Sequence, residues 1–215
     1  MKRTTAMLVI GVLAMIGLAG CGGHHQTVQN VQIPPRIDLK EHEVIGVVEF
    51  ASSSKGKLGP MATSKFIEMA RRDQGLVRIV DLGNAASALR SVGRDRMDAE
   101  AVRALGEKHG VRTILTGEVT ISNIKPNVQI LTSLRAGSVS AQVDATLAVR
   151  MIETATGASL WNTSSAGTRE VGQVSMFSGR NFSFDSDDPE RAYGDLVNAL
   201  VTDATRDFRV TWERR

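Results

Sequence analysis

The chain has 215 residues, with 26 Lys plus Arg against 23 Asp plus Glu and a formal net charge of +3. This basic excess is small, and no basic stripe interleaved with aromatic residues occurs, so composition and charge argue against a nucleic-acid partner. The single cysteine excludes an internal disulfide. Roughly 170 residues beyond the N-terminal region are enough to bury one core.

The N-terminus has the layout of an export signal. Lys2 and Arg3 precede an apolar stretch at residues 6–18. That stretch, at about 13 residues, is shorter than the roughly 20 that span a bilayer as a helix. A basic start, a short apolar stretch and small residues before a cut are typical of a cleaved signal peptide. No later stretch is long and apolar enough to predict a second membrane helix.

The only cysteine directly follows this stretch. Leu18, Ala19, Gly20 and Cys21 resemble the lipobox of bacterial lipoproteins. The resemblance implies cleavage before Cys21, a diacylglycerol on its sulfur, and palmitate-type acylation. Each buried methylene contributes about 0.8 kcal/mol, so two or three acyl chains attach a protein stably. The alternative is a lone buried cysteine beside a hydrophobic N-terminus.

The residues after Cys21 predict a tether. Glycine and polar residues predominate, and Pro34 and Pro35 add a stiff, extended step. Removal of the signal leaves 24 Lys plus Arg against 23 acidic residues, so the expected mature chain is nearly neutral. The predicted organisation is a signal peptide at residues 1–20, a lipidated flexible tether at 21–42 and one domain at 43–215.

The first half of the predicted domain alternates strands and helices. A β-branched run at residues 44–50 predicts a buried strand, and Asp98 and Gly110 are expected to cap the two ends of one helix. This order is typical of βαβ units with right-handed crossovers. The predicted elements are a strand at 44–50, a helix beginning near Pro60, a strand at 77–82, helices at 84–92 and 98–109, and a strand at 112–119.

The second half changes character. Residues 143–151 alternate apolar and polar side chains, which predicts a half-exposed strand. A turn at 154–157 and a partner strand from Leu160 complete a hairpin. Asp188 and Pro189 begin a long helix that runs to about Phe208. The predicted fold class is α/β, with a mixed β-sheet sandwiched by helices, a long C-terminal helix and two extended or hairpin insertions.

The two insertions, at residues 122–142 and 163–187, exceed what a minimal core needs. The second holds Phe177, Phe182 and Phe184, half of the six phenylalanines. One interpretation is a pair of extended loops that cover the sheet. The other is a surface for membrane or subunit contact, with these three phenylalanines as the contact residues.

No recognised catalytic pattern occurs, whether a nucleophile elbow, a phosphate-binding loop or a zinc-ligand motif. We therefore expect no enzyme, no cofactor and no metal site. Asp185, Asp187 and Asp188 lack the spacing of a calcium loop, and a solvated loop with a helix cap is the favoured interpretation.

One family resemblance is carried by the helix that begins near Met61 and by four segments, residues 45–50, 77–81, 105–117 and 150–157. Together they resemble the curli secretion-channel (CsgG-type) lipoprotein family, whose α/β core is shared by TolB-type N-terminal domains and by activators of penicillin-binding proteins. In secreting members, two inserted hairpins per subunit assemble into an outer-membrane barrel, which implies that role for the two insertions. Those members also narrow the pore with an aromatic and asparagine-bearing loop, but residues 51–59 contain no Tyr, Asn or Phe.

The resemblance implies a non-enzymatic outer-membrane lipoprotein that acts as an assembly, scaffold or secretion component and forms oligomers. Its expected position is the periplasmic face of the outer membrane, because Gly22 rather than Asp follows the lipidated cysteine. Its expected partners are the membrane, through the lipid, and further copies or envelope proteins. The alternative function is a tethered periplasmic adaptor that activates a cell-wall synthase.

Overall fold

The computed structural model describes residues 30–127, 140–171, 175–177, 181–184 and 188–214. The predicted signal peptide and Cys21 lie outside the described residues. The chain divides into two compact units, Pro34–Thr211 and a small unit of Met1–Ile33 with Trp212–Arg215. In the small unit, β1 (Asn30–Ile33) pairs with β11 (Thr211–Arg214).

The larger unit contains the predicted mixed α/β architecture. Its strands are β2 Val44–Glu49, β3 Ala51–Ser52, β4 Lys55–Gly56, β5 Arg78–Asn84, β6 Thr113–Asn127, β7 Ser140–Glu153, β8 Ser159–Val171, β9 Ser175–Phe177 and β10 Asn181–Phe184. Its helices are α1 Leu58–Gln74, α2 Ala85–Ser91, α3 Ala99–His109 and α4 Pro189–Ala204. The predicted fold class is therefore confirmed.

The main sheet is half parallel and half antiparallel. Its strand order is β5-β2-β6-β7-β8, with β3 alongside β6. The strand β2 pairs in parallel with β5 and β6, as the βαβ pattern predicts, whereas β6, β7 and β8 form an antiparallel meander. The antiparallel strands β6, β7 and β8 are longer than β2 and β5, so they extend beyond the parallel half of the sheet.

Close backbone contact sets helix α1 on the sheet. The Thr63 hydroxyl donates to the Gly59 carbonyl (2.9 Å) and accepts from the Phe50 N–H (2.8 Å). A side chain at Gly59 would place its Cβ 2.2 Å from the Phe50 carbonyl oxygen, so the approach requires glycine at this position. The helix ends at Gly75, whose φ is +76°.

Two layers of helices enclose the sheet. Helices α1 and α4 cover one side, where the rings of Phe66 and Phe208 meet edge to face at 5.8 Å. Helices α2 and α3 cover part of the other side, with Val102 and Leu105 buried against Ile114 and Ile152. The predicted caps of α3 are confirmed: the Asp98 carboxylate accepts from the Ala101 N–H, and Gly110 is left-handed.

The structure extends the strands into both predicted insertions. The predicted strand 112–119 continues to Asn127, and β7 begins at Ser140, so both ends of segment 122–142 are paired strand. A register shift between Ile121 and Asn123 interrupts the alternation there. In segment 163–187, β8 runs to Val171, and β10 pairs with both β9 and β4.

The C-terminal helix ends earlier than its apolar face predicts. Helix α4 stops at Ala204 and a 3-10 turn follows at Arg206–Phe208. The Thr205 hydroxyl donates to the Val201 carbonyl at 2.9 Å, and Phe208 is still fully buried. The apolar pattern of the sequence therefore continues past the end of α4 into the 3-10 turn.

The N-terminal boundary of the larger unit also differs from the predicted start at residue 43. The unit begins at Pro34, and a 3-10 turn at Leu39–His42 carries the fully buried Leu39. The Gln74 side chain accepts from the Leu39 N–H and donates to the carbonyls of Ile37 and Phe208. Residues 34–42 are mostly polar, so their composition does not indicate these few buried positions. These residues, which the sequence assigns to the tether, are part of the larger unit.

Among the helices in the described ranges, none combines the length and apolar character needed to cross a membrane.

Candidate interaction surface

One side of the antiparallel meander lacks a helical cover among the described residues. Along β7, one set of alternating side chains lies under the helices and is at most 2% exposed, namely Val143, Ala145, Leu147, Val149 and Met151. The intervening side chains from Asp144 to Arg150 are partly or fully exposed. The period of two therefore separates a buried side from an exposed side.

The exposed side continues the surface on which α2 and α3 pack. Ile114 and Ile152 are paired across β6 and β7 and are buried in that second core. One row further, Thr116 and Arg150 are paired and lie outside the cover. We call the uncovered part the open face; it consists of Thr116, Glu118, Thr120, Asn123, Asp144, Thr146, Ala148, Arg150, Asn162, Ser164, Ala166 and Thr168.

Small side chains form a depression in the open face. Glu118, Ala148 and Ser164 lie side by side on β6, β7 and β8, and Ala51 of β3 pairs with Glu118 at the edge of the row. This row and the neighbouring row of Thr116, Arg150 and Asn162 line a shallow depression of about 500 Å³. A depression floored by alanine and serine and bordered by one acid and one base fits a protruding polar group.

Hydrogen bonds fix the far end of the open face. The Asp144 carboxylate accepts from the Thr168 hydroxyl (2.6 Å) on β8 and from the Asn123 side-chain amide (3.1 Å) on β6. These two hydrogen bonds, with a smaller contribution from the charge of Lys125, lower the pKa of Asp144 below its ordinary value. The three strands are therefore connected by side chains as well as by the backbone.

The structure describes only some of the residues that the sequence predicts as functional. Phe177 is in β9, and Phe182 and Phe184 are in β10; their side chains lie outside the described part of the structure, so their contact role stays a prediction. The predicted lipidation site, formed by Leu18, Ala19, Gly20 and Cys21, likewise lies outside the described residues. Asp188 caps α4 by accepting from the Arg191 N–H at 3.2 Å.

Within the described ranges, no group of three or more His, Cys, Asp or Glu side chains is arranged to hold a metal ion. Sequence reasoning did not single out the open face, although it predicted the half-exposed strand that forms its centre. The available signal was the set of small residues Thr146, Ala148, Ser164 and Ala166 at the outward positions of the hairpin.

Fold and surface together define a mixed α/β domain with an antiparallel sheet face that the described helices cover only in part. No protein-family model matches the chain, and no curated protein matches it either. The chain is similar to the PelC dodecamer from Paraburkholderia phytofirmans, with 16% identity and a TM-score of 0.44 over 84% of this chain and 96% of that one.

Two further similar structures are lipoprotein GNA1162 from Neisseria meningitidis and the LpoB C-terminal domain from Salmonella enterica. The first is 16% identical with a TM-score of 0.39 over 74% of this chain and 96% of that one. The second is 12% identical with a TM-score of 0.38 over 74% and 93%. A likeness of this size decides nothing about function, and the CsgG-type resemblance stays a prediction.

Proposed function

We propose that the protein is a lipid-anchored component of the bacterial outer membrane that works by binding proteins rather than by catalysis. It is attached through Cys21, faces the periplasm and assembles with further copies of itself as a CsgG-like scaffold or secretion component. The lipobox resemblance supports the attachment, and the open face supports the protein–protein binding.

The open face is the observation that carries the proposal. Beyond the rows of Ile114 and Ile152 that α2 and α3 cover, three strands of 13–15 residues present one continuous side on which no described helix packs. Its centre carries small side chains, which lose little side-chain entropy when another surface covers them. Stable protein interfaces need a continuous area of this kind rather than isolated contacts.

The charges of the open face favour a second copy as the partner. Glu118 and Arg150 lie in adjacent rows on neighbouring strands, and both are exposed. In a dimer with two-fold symmetry, every contact occurs twice: if one residue of the first copy contacts a different residue of the second, the reverse contact forms as well. Glu118 of one copy can then face Arg150 of the other, which pairs both charges on association.

The length of the tether counts against the adaptor alternative. Thirteen peptide units join Cys21 to Pro34, where the larger unit begins. At 3.3–3.6 Å per residue they reach at most about 45 Å. A partner of this domain must therefore lie close to the membrane that holds the lipid.

Oligomeric state tests the proposal with a matched pair of variants. The full-length lipoprotein is extracted in mild detergent and its mass is measured by light scattering after size exclusion. Wild type is expected to be oligomeric, and Ala148→Arg, at the centre of the open face, is expected to be monomeric. Ala155→Arg makes the same change at an exposed turn residue and should leave the oligomer intact.

A photocrosslinking residue at Ser164 identifies what covers the open face in cells. Adducts between two copies support the scaffold, whereas adducts with a cell-wall synthase support the adaptor alternative. A wild-type monomer that forms no adduct from Ser164 contradicts both. Palmitate incorporation that is lost in Cys21→Ser tests the anchor separately.

A further inference from the structure

The larger unit receives the N-terminal part of the chain at one end, beside the C-terminus of α1. The Ile37 N–H donates to the Asp207 carbonyl at 3.2 Å. Gln74, the last residue of α1, holds Ile37 and Leu39 through its buried side chain. The first residues of the unit are therefore held beside Gln74, which lies two positions before Leu76 in the sequence.

Leu76 projects from this end into solvent. It is 98% exposed, whereas its neighbour Val77 is 7% exposed. The preceding Gly75 ends α1 in a positive-φ conformation, with its N–H donating to the Arg71 carbonyl at 2.7 Å. The apolar residue after such a glycine commonly packs back on the last turn of the helix. Leu76 points away instead, which leaves a large aliphatic side chain at an outermost position.

Arginines surround Leu76 along the chain. Arg71 and Arg72 lie in the last turn of α1, and Arg78 is the first residue of β5; all three are exposed. We call Arg71, Arg72, Leu76 and Arg78 the Leu76 tip.

The acidic side chain nearest to the tip in sequence is already paired. Asp73 accepts from Arg209 at 2.9 Å and from Arg72 at 3.4 Å, and its side chain is only 12% exposed. Asp207, where the N-terminal part of the chain enters, pairs with Arg36 and accepts from the Trp161 indole. The exposed charge of the tip is therefore positive.

We propose that the Leu76 tip rests on the surface of the membrane that holds the lipid anchor, with Leu76 at the boundary between the headgroups and the acyl chains and the arginines on phospholipid phosphates. The inference rests on the proposed attachment through Cys21. A protruding apolar side chain among basic residues is the composition that binds at an anionic bilayer interface. The lipid must lie within about 45 Å of Pro34, because no more chain than that joins them, and the Leu76 tip is at the end of the unit where residues 37–39 pack against Gln74.

Depth measurement on the full-length lipoprotein tests this orientation. Cys21 is the only native cysteine, and in the proposed lipoprotein its sulfur carries the diacylglycerol, so Leu76→Cys introduces a single free thiol for an environment-sensitive fluorophore. The protein is inserted into vesicles of phosphatidylethanolamine and phosphatidylglycerol that contain a lipid-borne quencher. Gln142→Cys, an exposed position on β7, is the matched control.

We expect several-fold stronger quenching at position 76 than at 142. In the Leu76→Cys background, Arg71→Gln with Arg78→Gln should reduce the difference, as should vesicles of phosphatidylcholine alone. Equal quenching at the two positions, in a protein that floats with the vesicles, overturns the proposed orientation but not the lipid anchor. The Leu76 tip would then be a surface that binds a protein partner. A chain that carries no lipid and does not float overturns the proposed function and the orientation together.

Discussion

At the scale of single residues, Gln74 connects three segments that are distant in sequence. Its side chain is 6% exposed and makes hydrogen bonds of 2.7–2.9 Å to Leu39, Ile37 and Phe208. Removing it leaves a buried N–H and two carbonyls without a partner, so Gln74→Ala should lower the free energy of unfolding by about 2–4 kcal/mol. Urea unfolding measures the loss.

The matched control for this prediction is Gln142→Ala, an exposed glutamine whose removal should cost less than about 0.5 kcal/mol. Gln74→Ala should also speed trypsin cleavage at Lys40, because the segment around Leu39 is released. Equal proteolysis of the two variants would show that residues 34–42 stay in place without Gln74.

His42 makes stability depend on pH. Its Nδ1 lies 3.1 Å from the Thr113 hydroxyl, and burial lowers the pKa of His42 below its ordinary value of 6.5. The nearby charge of Arg112 lowers this pKa further, whereas the carboxylates of Glu41, Asp38 and Glu153 oppose the shift.

The folded state therefore binds the His42 proton more weakly than the unfolded state does. The stabilisation from the neutral imidazole is fully present above pH 6.5 and is lost as the pH falls through the folded-state pKa. Urea unfolding between neutral and mildly acidic pH should show this slope in wild type and a shallower one in His42→Gln. Retention of the full slope in His42→Gln, with the same slope in the control His109→Gln, would assign it to other groups.

At the scale of elements, the contact between α1 and the sheet depends on Gly59. Gly59→Ala places a Cβ 2.2 Å from the Phe50 carbonyl oxygen, and because a backbone atom cannot move aside, α1 must shift. We expect a loss of about 1–3 kcal/mol in unfolding free energy. Gly167→Ala is the control, since its Cβ would meet Leu200 at an ordinary 3.7 Å. Equal stability of the two variants in urea would show that α1 adjusts freely.

The local signals in the sequence predict most of this architecture. Helix α3 is identifiable from Asp98 and Gly110, and the β7–β8 hairpin from its alternation and its turn, because each signal lies within a few residues. The continuation of β6 beyond Val119 is not identifiable, since the register shift between Ile121 and Asn123 breaks the alternation. The pairing of β4 with β10 joins distant segments and leaves no local pattern.

The extent of the open face is likewise not predictable from local sequence patterns. Alternation along β7 predicts that its Ala148 side faces outward, but the extent of that exposed side depends on where another layer ends. The α2–α3 layer covers Ile114 and Ile152 and stops before Thr116 and Arg150. That boundary is set by the length and position of helices that are not adjacent in sequence to β7 or β8, so it appears only in the folded chain.

At the scale of the whole molecule, the proposals assign different tasks to different parts of the larger unit. The Leu76 tip lies where the parallel strand β5 begins, and the depression of the open face lies further along the antiparallel strands, centred on Ala148. Attachment through Cys21 and orientation by the Leu76 tip would leave the open face free for a partner. Variants at Leu76 and at Ala148 should therefore act independently, because additivity holds for sites that share no contacts.

The use of a single cysteine makes a prediction about the entire chain. Cys21 is the only thiol, so folding cannot depend on an internal disulfide, and the lipidated protein has no thiol left to oxidise. Its thermal unfolding midpoint and its mass in detergent should be identical with and without a reducing agent. The control is Gln142→Cys, whose exposed thiol permits a disulfide between copies that the reductant removes. If wild type itself shows a dimer that reductant dissolves, the Cys21 sulfur is free, and the attachment on which the proposed function depends does not form.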